Sequence, residues 1–298
     1  MFSAWHNLKQ KCFAGALAIV ALAGGCGETK VPVVVGSENT PEQIVVGEIV
    51  AEQIENRLGQ KVQRRLGFGG ESILYQGLLA GDITVYPDYA ASIEANILRE
   101  RPDPDTAIVL ERTRSEMGRT AHVDLLGPLG YEGTAVAMVR KTTAEKARIS
   151  TLSGAAKAAL KWKLGVSYDF QQRSDGLASI SAYKIPMDLP RAMDAAQLFP
   201  ALQQGQVDMI VANNADGHIL SPDYAVLDDD QKVFPAYQAC LLVRQDTLAR
   251  LPKLQAALAD LSGKLTTPVV RKLVADLALE HRPAPDIAAG FLRDAGLK

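Results

Sequence analysis

The stretch at residues 64–89 constrains the fold more than any other, because it contains a complete strand–helix–strand unit. A strand predicted to end at Leu66 is followed by a glycine-rich turn at residues 67–70. Apolar residues then recur at helical spacing as far as Gly81, a residue suited to a left-handed C-cap. A second strand brings residues 86–89, with two tyrosines, to its carboxyl end. Ligands bind at that edge of open α/β sheets, so the unit predicts a ligand site there.

The residues before this unit predict one more strand and a helix. Residues 31–35 form an apolar run typical of a buried strand. Thr40 is a predicted helix N-cap, with Pro41 at the first helical position and Gln43 completing a capping box. The helix should end at Gly59, before the strand that enters the unit. The opening therefore predicts a parallel sheet with helical crossovers, as in α/β proteins.

The two halves of the chain resemble each other. Residues 80–86 and 204–213 each contain a helix that ends in glycine and is followed by a strand. The segment at residues 125–133, with three glycines and a proline, and the segment Phe-Pro-Ala-Tyr at residues 234–237 are the predicted crossings between domains. The chain should thus form two α/β lobes with a cleft between them. The predicted bounds are residues 31–132 and 237–298 for lobe I, and residues 133–236 for lobe II.

Three further elements are predicted inside lobe II. Residues 169–175 are predicted to form a polar loop, and residues 194–205 a helix. Residues 207–211 form an apolar run that predicts a strand, and it leads to Asn213.

The first 26 residues differ in composition from the rest of the chain. Lys9 and Lys11 precede an apolar run at residues 12–25, which is typical of a signal peptide and too short for a membrane span. Leu-Ala-Gly-Gly-Cys at residues 22–26 matches a bacterial lipobox loosely. We predict that Cys26 is the lipid-modified N-terminus of the mature chain. The alternative is an ordinary cleaved signal in which Cys26 plays no part.

Charge and motifs argue against several functions. The net charge of −2 is spread along the chain, without the basic stripe that nucleic-acid binding needs. No GxGxxG, Walker A, GxSxG or HExxH motif occurs, so we predict neither catalysis nor a cofactor. His122, His218 and His281 match no metal spacing and are predicted surface or capping residues. The acidic run at residues 228–230 is a predicted solvated loop, and Cys240 a small buried residue.

Two tyrosines and one arginine are the strongest candidates for binding. Tyr89 and Tyr237 fall at strand ends or crossings, where side chains face the cleft. A tyrosine face attracts a cation by ~0.5–2 kcal/mol, although both residues could instead be aromatics at the edge of the core. Arg173 could hold a carboxylate through two parallel hydrogen bonds, or could be an ordinary surface arginine.

Taken together, several stretches resemble the substrate-binding proteins of ABC importers for glycine betaine, choline, carnitine and related osmoprotectants. The resemblance covers nearly the whole mature chain and depends on the order and spacing of these stretches. They are Gly36-Ser37-Glu38-Asn39-Thr40-Pro41-Glu42-Gln43, Leu66-Gly67-Phe68-Gly69-Gly70, Gly81-Asp82-Ile83 through Tyr86-Pro87-Asp88-Tyr89, Arg173-Ser174-Asp175-Gly176, Gly205-Gln206-Val207-Asp208, Ala215-Asp216-Gly217 and Phe234-Pro235-Ala236-Tyr237.

The resemblance implies a fold and a mode of binding. Members have the type II periplasmic binding protein fold, with two interdomain crossings, and close on a ligand in the interlobe cleft by a hinge motion. A cage of aromatic residues holds a quaternary ammonium, and basic residues hold a carboxylate. By this resemblance Tyr89 and Tyr237 fall on cage positions, Ser92 on a hydroxyl position near the carboxylate, and Arg173 on the carboxylate clamp.

The chain departs from the family pattern at several of these positions. Ala135 stands where a further cage tyrosine is usual, and Asn213 where an aromatic residue usually precedes the Asp-Gly pair. Glu38 replaces a lysine, and Glu71 a threonine. Asn213, Glu38 and Glu71 would offer hydrogen-bond acceptors, and Gln43 of the opening motif is a further candidate ligand contact.

These departures leave two kinds of ligand open. Losing two cage faces removes ~1–3 kcal/mol of cation–π attraction, and a trimethylammonium cannot use the new acceptors because it has no N–H. The ligand could therefore pair a carboxylate for Arg173 with a protonated, N–H-bearing amine, as in an amino acid. Alternatively, other residues rebuild the cage and the ligand is still a betaine.

The predicted function is that of an extracytoplasmic solute-binding lipoprotein, in the periplasm or at the cell surface. It would bind a quaternary amine of the glycine betaine, choline or carnitine class and deliver it to an ABC permease and its ATPase. There are three alternatives. The protein could play the same role for a non-quaternary amine, could be a solute sensor that reports to a membrane receptor, or could be an enzyme on the same fold.

Overall fold

The structure is a computed structural model, and it describes residues 31–298 apart from residues 101, 102, 104, 174 and 175. The predicted signal peptide and the predicted lipid attachment at Cys26 lie outside the described residues. In the described part of the chain, no helix combines the length and the apolar character that crossing a membrane requires.

Strands and helices alternate along most of the chain. The strands are β1 (Val34–Glu38), β2 (Gln63–Gly69), β3 (Val85–Tyr89), β4 (Val123–Leu126), β5 (Glu132–Arg140), β6 (Leu164–Ser167), β7 (Arg191–Met193), β8 (Met209–Asn213), β9 (Tyr224–Leu227) and β10 (Ala236–Arg244). The α-helices are α1 (Pro41–Leu58), α2 (Glu71–Ala80), α3 (Ala90–Ser92), α4 (Thr106–Ala121), α5 (Lys141–Ala147), α6 (Leu152–Lys157), α7 (Tyr168–Gln172), α8 (Gly176–Ser181), α9 (Leu198–Gln203), α10 (Gln245–Arg250), α11 (Pro252–Ala259), α12 (Thr267–Ala278) and α13 (Ala284–Asp294). A π-helical turn follows α3 (Ile93–Ile97), and short 3₁₀ helices cover Ala195–Gln197 and Gly217–Leu220.

The strands form two groups that share one continuous path. In the first group β2, β1 and β3 are parallel, as the opening β-α-β-α-β pattern predicts, and β10 runs antiparallel to β3 and β4. In the second group β5 is antiparallel to β8 and β9, while β6 is parallel to β8 and β7. The groups are joined where β10 pairs with β5, through Tyr237 opposite Gly133. The chain is thus a two-lobed α/β protein, which confirms the predicted fold class.

Helix α1 forms as the sequence predicts, with one exception at its N-cap. The Thr40 hydroxyl accepts a hydrogen bond from the backbone N–H of Gln43 at 3.2 Å, and Gly59 ends the helix in the left-handed conformation at φ 63°. The Gln43 side chain does not complete the capping box, because it turns toward Glu42 instead. Both Glu42 and Gln43 are buried, so the first turn of this helix places polar groups inside the protein.

Three local predictions are wrong in detail. The predicted polar loop at residues 169–175 overlaps helix α7, whose N-cap Ser167 accepts a hydrogen bond from the N–H of Phe170 at 3.1 Å. The predicted helix at residues 194–205 is a 3₁₀ turn followed by α9. Pro200 lacks the N–H that would continue α-helical bonding back to residue 196. Residues 86–89 lie within β3 rather than after it.

Each lobe has its own hydrophobic core, but one segment crosses between them. Ala215 follows β8 of the second group, yet it is fully buried among first-lobe residues of α1, α12 and α13. Arg271 of α12 donates from Nε and Nη2 to the carbonyl oxygen of Asn214, at 3.0 and 2.7 Å. Gly217 packs directly against the backbone of α12 at Ala275. The segment after β8 is therefore fixed to the first lobe, although it lies inside the range predicted for lobe II.

We expect Gly217→Ala to destabilise the protein, because an added Cβ would overlap the backbone nitrogen of Ala275. Backbone atoms cannot move aside as a flexible side chain can, so the loss of unfolding free energy should be about 3 kcal/mol. Gly118→Ala, within helix α4, is the matched control, because a Cβ there would meet only the side chain of Gln245, at 3.5 Å. That substitution should stabilise by up to about 1 kcal/mol. Equal denaturation midpoints for the two variants would contradict the close packing at Gly217.

Candidate functional site

A cavity of about 180 Å³ lies where the two groups of strands meet. Residues from both lobes line it, and they include every residue that the sequence singles out as a candidate ligand contact. These are Glu38, Gln43, Glu71, Tyr89, Ser92, Arg173, Asn213 and Tyr237. The structure thus brings all eight candidates together around one space, together with Ala135.

The first lobe contributes the ends of its strands and the starts of its helices. Glu38 is the last residue of β1, and Tyr89 the last of β3. Glu42 and Glu71 lie in the first turns of α1 and α2, where the helix dipole favours an anion. Ser92 follows Tyr89 by one turn of α3. The carboxyl edge of the parallel strands therefore forms one wall of the cavity, as the strand–helix–strand unit predicts.

Tyr89 is held in place by a buried carboxylate that sequence reasoning missed. Its hydroxyl donates to Glu42 Oε2 at 2.8 Å, and the Tyr131 hydroxyl donates to Glu42 Oε1 at 2.6 Å. Burial raises the pKa of Glu42, whereas the hydrogen bonds from Tyr131 and Tyr89 oppose that rise. The Tyr89 ring also packs on Gly133 so closely that a Cβ there would lie 2.5 Å from Cε1. The ring position is therefore fixed from two sides.

Asn213 supports this arrangement rather than facing a ligand with its oxygen. Its amide nitrogen donates to the Tyr89 hydroxyl at 2.9 Å, and its Oδ1 accepts from the backbone N–H of Ala215 at 2.9 Å. The Asn213 oxygen expected to accept from the ligand already accepts from this backbone N–H. Its contribution is to orient Tyr89.

Three carboxyl groups form an acidic wall on the first-lobe side, consisting of Glu38, Glu71 and Asp88. Burial and then the neighbouring Asp169, Glu71 and Glu42 raise the pKa of Glu38 to about 8, although Arg173 lowers it. Burial, with Glu71 and Glu38 beside it, raises the pKa of Asp88 well above its ordinary value.

The acidic wall also contains acceptors without partners. Among the described residues, Asp88 Oδ2 and Glu71 Oε1 are buried and accept no hydrogen bond. Asn96 donates to the other oxygen of Glu71 at 2.6 Å and to the Ser92 hydroxyl at 3.2 Å. Burial raises the pKa of Glu71, while the Asn96 hydrogen bond and the charge of Arg173 oppose this rise.

The second lobe places a guanidinium opposite the acidic wall. Arg173, at the end of α7, lies with its central carbon 4.9 Å from the ring centroid of Tyr237 and 5.9 Å from that of Phe170. Its charge lowers the pKa values of Glu38, Glu71 and Asp169 relative to what burial alone would give. One face of Tyr237, predicted as a cage residue, therefore lies against the predicted carboxylate clamp.

Two phenylalanines add aromatic surface that the sequence did not reveal. Phe170 of α7 and Phe199 of α9 both line the cavity. Phe199 stacks on the His218 ring with centroids 3.8 Å apart, and His218 Nδ1 lies 2.8 Å from Asp216 Oδ1. His218, predicted to be a surface or capping residue, therefore supports a cavity-lining ring. Together with Tyr89 and Tyr237, four aromatic side chains face the cavity despite Ala135 and Asn213.

The cavity lining is acidic overall. Its described residues include one guanidinium, Arg173, and six carboxyl groups, which are Glu38, Glu42, Glu71, Asp88, Asp169 and Asp216. The described residues contain no group of three or more His, Cys, Asp or Glu side chains that could hold a metal ion. The Cys240 thiol donates a hydrogen bond to the backbone carbonyl oxygen of Asp88 at 3.4 Å. Cys240 is a small buried residue, as predicted.

Comparison with known proteins gives one family and several relatives. The family model for the substrate-binding domain of ABC-type glycine betaine transport systems matches residues 31–294. A carnitine transport binding protein of Listeria monocytogenes is 28% identical, and the alignment covers 86% of this chain and 84% of that protein. The glycine betaine-binding protein YehZ of Escherichia coli is 24% identical over 96% of this chain and 98% of that protein. A crystal structure described as a glycine betaine/carnitine/choline ABC transporter has the same fold, with a TM-score of 0.71, 24% identity, and coverage of 89% of this chain and 99% of that one.

Proposed function

Because this chain belongs to the family of substrate-binding domains of ABC-type glycine betaine transport systems, we propose that it binds an osmoprotectant-type quaternary amine outside the cytoplasm. In this role it delivers the solute to an ABC permease and its ATPase and carries out no reaction of its own. The proposed lobes are residues 31–132 with 237–298, and residues 133–236, with the segment at residues 213–217 held against the first lobe. The lipid on Cys26 anchors the protein to the membrane, in the periplasm or at the cell surface.

The observation that carries this proposal is the combination of aromatic faces with an excess of carboxyl groups around one small cavity. Four aromatic rings, from Tyr89, Phe170, Phe199 and Tyr237, line the same space as six carboxyl groups. A methylated ammonium binds to aromatic faces through its charge and needs no hydrogen-bond acceptor. The acidic surroundings add attraction for any cation. A small cationic head group therefore fits this cavity better than an anion or a neutral sugar.

Phe170 and Phe199 support the reading in which other residues rebuild the cage. The positions of Ala135 and Asn213 provide no ring, but Phe199 reaches the same cavity from α9 and is supported from behind by His218. In the proposed complex the ammonium lies among these rings. Arg173 then moves away from the face of Tyr237, so that the ammonium can contact this ring.

A non-quaternary amine remains a second candidate, and one observation favours it. Asp88 Oδ2 and Glu71 Oε1 are buried acceptors without partners among the described residues. An N–H-bearing cation could satisfy them, whereas a trimethylammonium could not.

A thermal-shift screen of residues 27–298 tests the proposed function. The panel comprises glycine betaine, choline, carnitine, ethanolamine, the common amino acids and polyamines. A solute present at 100 times its dissociation constant should add about 2.7 kcal/mol of stability, which raises the melting temperature visibly. Stabilisation by quaternary amines is the expected result. Stabilisation only by amines that bear N–H groups would favour the second candidate, and no stabilisation by any amine would contradict both.

Phe199→Ala should weaken binding of the quaternary amine found in that screen. Loss of one aromatic face removes about 1 kcal/mol of cation–π attraction, so the dissociation constant should rise about fivefold to tenfold in titration calorimetry. Phe68→Ala is the matched control, because Phe68 is exposed and lies outside the cavity lining. If both variants bind as tightly as the wild type, Phe199 is not part of the cage.

A further inference from the structure

Building on the proposed function, we infer that the solute presents a hydrogen-bond donor, an O–H or N–H group, to the acidic wall of Glu38, Glu71 and Asp88. The end of the solute away from its cationic head is then not a carboxylate. The preferred class is an amino alcohol such as choline, rather than a betaine. This differs from the carboxylate clamp that the family resemblance implies for Arg173.

The first argument is the charge already present around Arg173. A guanidinium can clamp a solute carboxylate when its charge is not balanced by the protein. Arg173 faces Glu38, Glu71 and Asp169, and its charge lowers the pKa values of all three. A solute carboxylate at this point would join three protein carboxyl groups around one guanidinium. The protein therefore supplies the anions for Arg173 itself.

The second argument is the state of the acceptors in the wall. Asp88 is 3% exposed and lines the cavity, and its Oδ2 has no hydrogen-bond partner among the described residues. Glu71 Oε1 is likewise buried without a partner, and Gln43 Oε1, at 2% exposure, is a third such oxygen. A buried acceptor without a donor is unfavourable, because it has lost its hydrogen bonds to water without gaining others. A solute hydroxyl or N–H supplies the missing donor to these three oxygens. A carboxylate leaves them unpaired, even where it accepts from the Tyr237 hydroxyl, which is likewise buried without a partner among the described residues.

The protonation of the wall offers a competing arrangement with the opposite pH dependence. Because the pKa of Glu38 is raised to about 8, this group is largely protonated at neutral pH and could donate to a solute carboxylate. Binding of a betaine would then weaken as the pH rises. Binding of a donor-bearing cation favours the ionised wall, so it strengthens as the pH rises toward the pKa of Glu38. The charged and titratable groups that face Glu38 are Glu42 of α1, Glu71 of α2, Tyr86 and Asp88 of β3, Asp169 of α7, and Arg173 directly after α7.

The experiment compares choline with glycine betaine, which share the trimethylammonium head and differ in the group at the other end. Titration calorimetry on residues 27–298 measures both dissociation constants from about pH 6 to about pH 9. We expect choline to bind at least about tenfold more tightly at neutral pH, and its affinity to rise by up to about tenfold per pH unit below the pKa of Glu38. Glu38→Gln should flatten that rise, and Asp88→Asn should reduce the preference for choline. The exposed Glu145→Gln is the control and should change neither property.

The outcomes separate this inference from the proposed function. Tighter binding of glycine betaine than of choline, or affinity for choline that falls with rising pH, overturns the inference and leaves the quaternary-amine site intact. Binding of neither compound contradicts both. Thermal melts of each variant without solute show whether it is folded. If Glu38→Gln is not folded, the ratio of choline to betaine affinity in Asp88→Asn and in the wild type still decides the question.

Discussion

Glu42→Ala is expected to lower the free energy of unfolding by about 3–5 kcal/mol, a large effect for one side chain in the wall of a binding cavity. Glu42 is 5% exposed and accepts hydrogen bonds from the hydroxyls of Tyr89 and Tyr131. Alanine would leave two buried hydroxyls without their acceptor and would open a space between the rings. Urea denaturation monitored by circular dichroism measures this loss. Solute titration should show weaker binding as well, since Tyr89 loses its anchor.

Tyr131→Phe is the control that separates the carboxylate from its partners. Tyr131 is buried and lies outside the cavity lining, so this substitution removes one of the two hydroxyl donors without altering the cavity. We expect a loss of about 1–2 kcal/mol and little change in solute affinity. If Glu42→Ala were no less stable than Tyr131→Phe, Glu42 would not be the centre of this network.

The second large effect is a loss of stability with rising pH in the solute-free protein. Glu38 has a pKa of about 8 in the folded protein and an ordinary value of 4.5. Below the ordinary value both states are protonated, and this group imposes no penalty. As the pH rises from about 4.5 to about 8, the unfolded chain releases its proton first, so folding becomes less favourable. The pKa values of Asp88, Glu71 and Glu42 are raised in the same direction and act in the same sense.

Glu38→Gln should remove much of this pH dependence. A neutral amide of the same shape has no proton to lose, so the variant should be more stable than the wild type at about pH 8 by about 3 kcal/mol. The two proteins should differ little near pH 4.5. Melting temperatures from about pH 5 to about pH 9 at constant ionic strength measure the difference, with Glu145→Gln as the control. Parallel curves for wild type and Glu38→Gln would contradict the raised pKa.

The sequence predicted the fold where local chemistry acts alone. Thr40, Pro41 and Gly59 bound α1 within one residue, because capping depends on the nearest backbone groups. The prediction of a loop at residues 169–175 is wrong because local signals alone were too few there. Ser167 is a good N-cap and Asp169 suits a first turn, but a five-residue helix is too short for apolar residues to show the helical period.

The candidate site was predicted in outline and missed in its supporting residues. Eight candidates do meet at one cavity, since family spacing and strand ends indicate where chains converge. Glu42 was overlooked because an acidic residue in the first turn of a helix is usually exposed. Asp88 and Phe199 were overlooked because their burial at the cavity depends on lobe packing. Such contacts join residues far apart in the chain, and no local pattern records them.

Because residues 214–217 are attached to α12, one part of the cavity wall stays with the first lobe while the other part moves with the second lobe. Arg271 holds the Asn214 carbonyl, and Ala215 is buried in the first-lobe core. If residues 213–217 stay with the first lobe, a hinge rotation of the rest of the second lobe leaves Asn213 beside Tyr89 and carries Phe170 and Arg173 away with α7. An incoming solute therefore meets a preassembled docking surface first. The residence time of the bound solute then depends on how stable the closed position of α7, with Phe170 and Arg173, is relative to the open one.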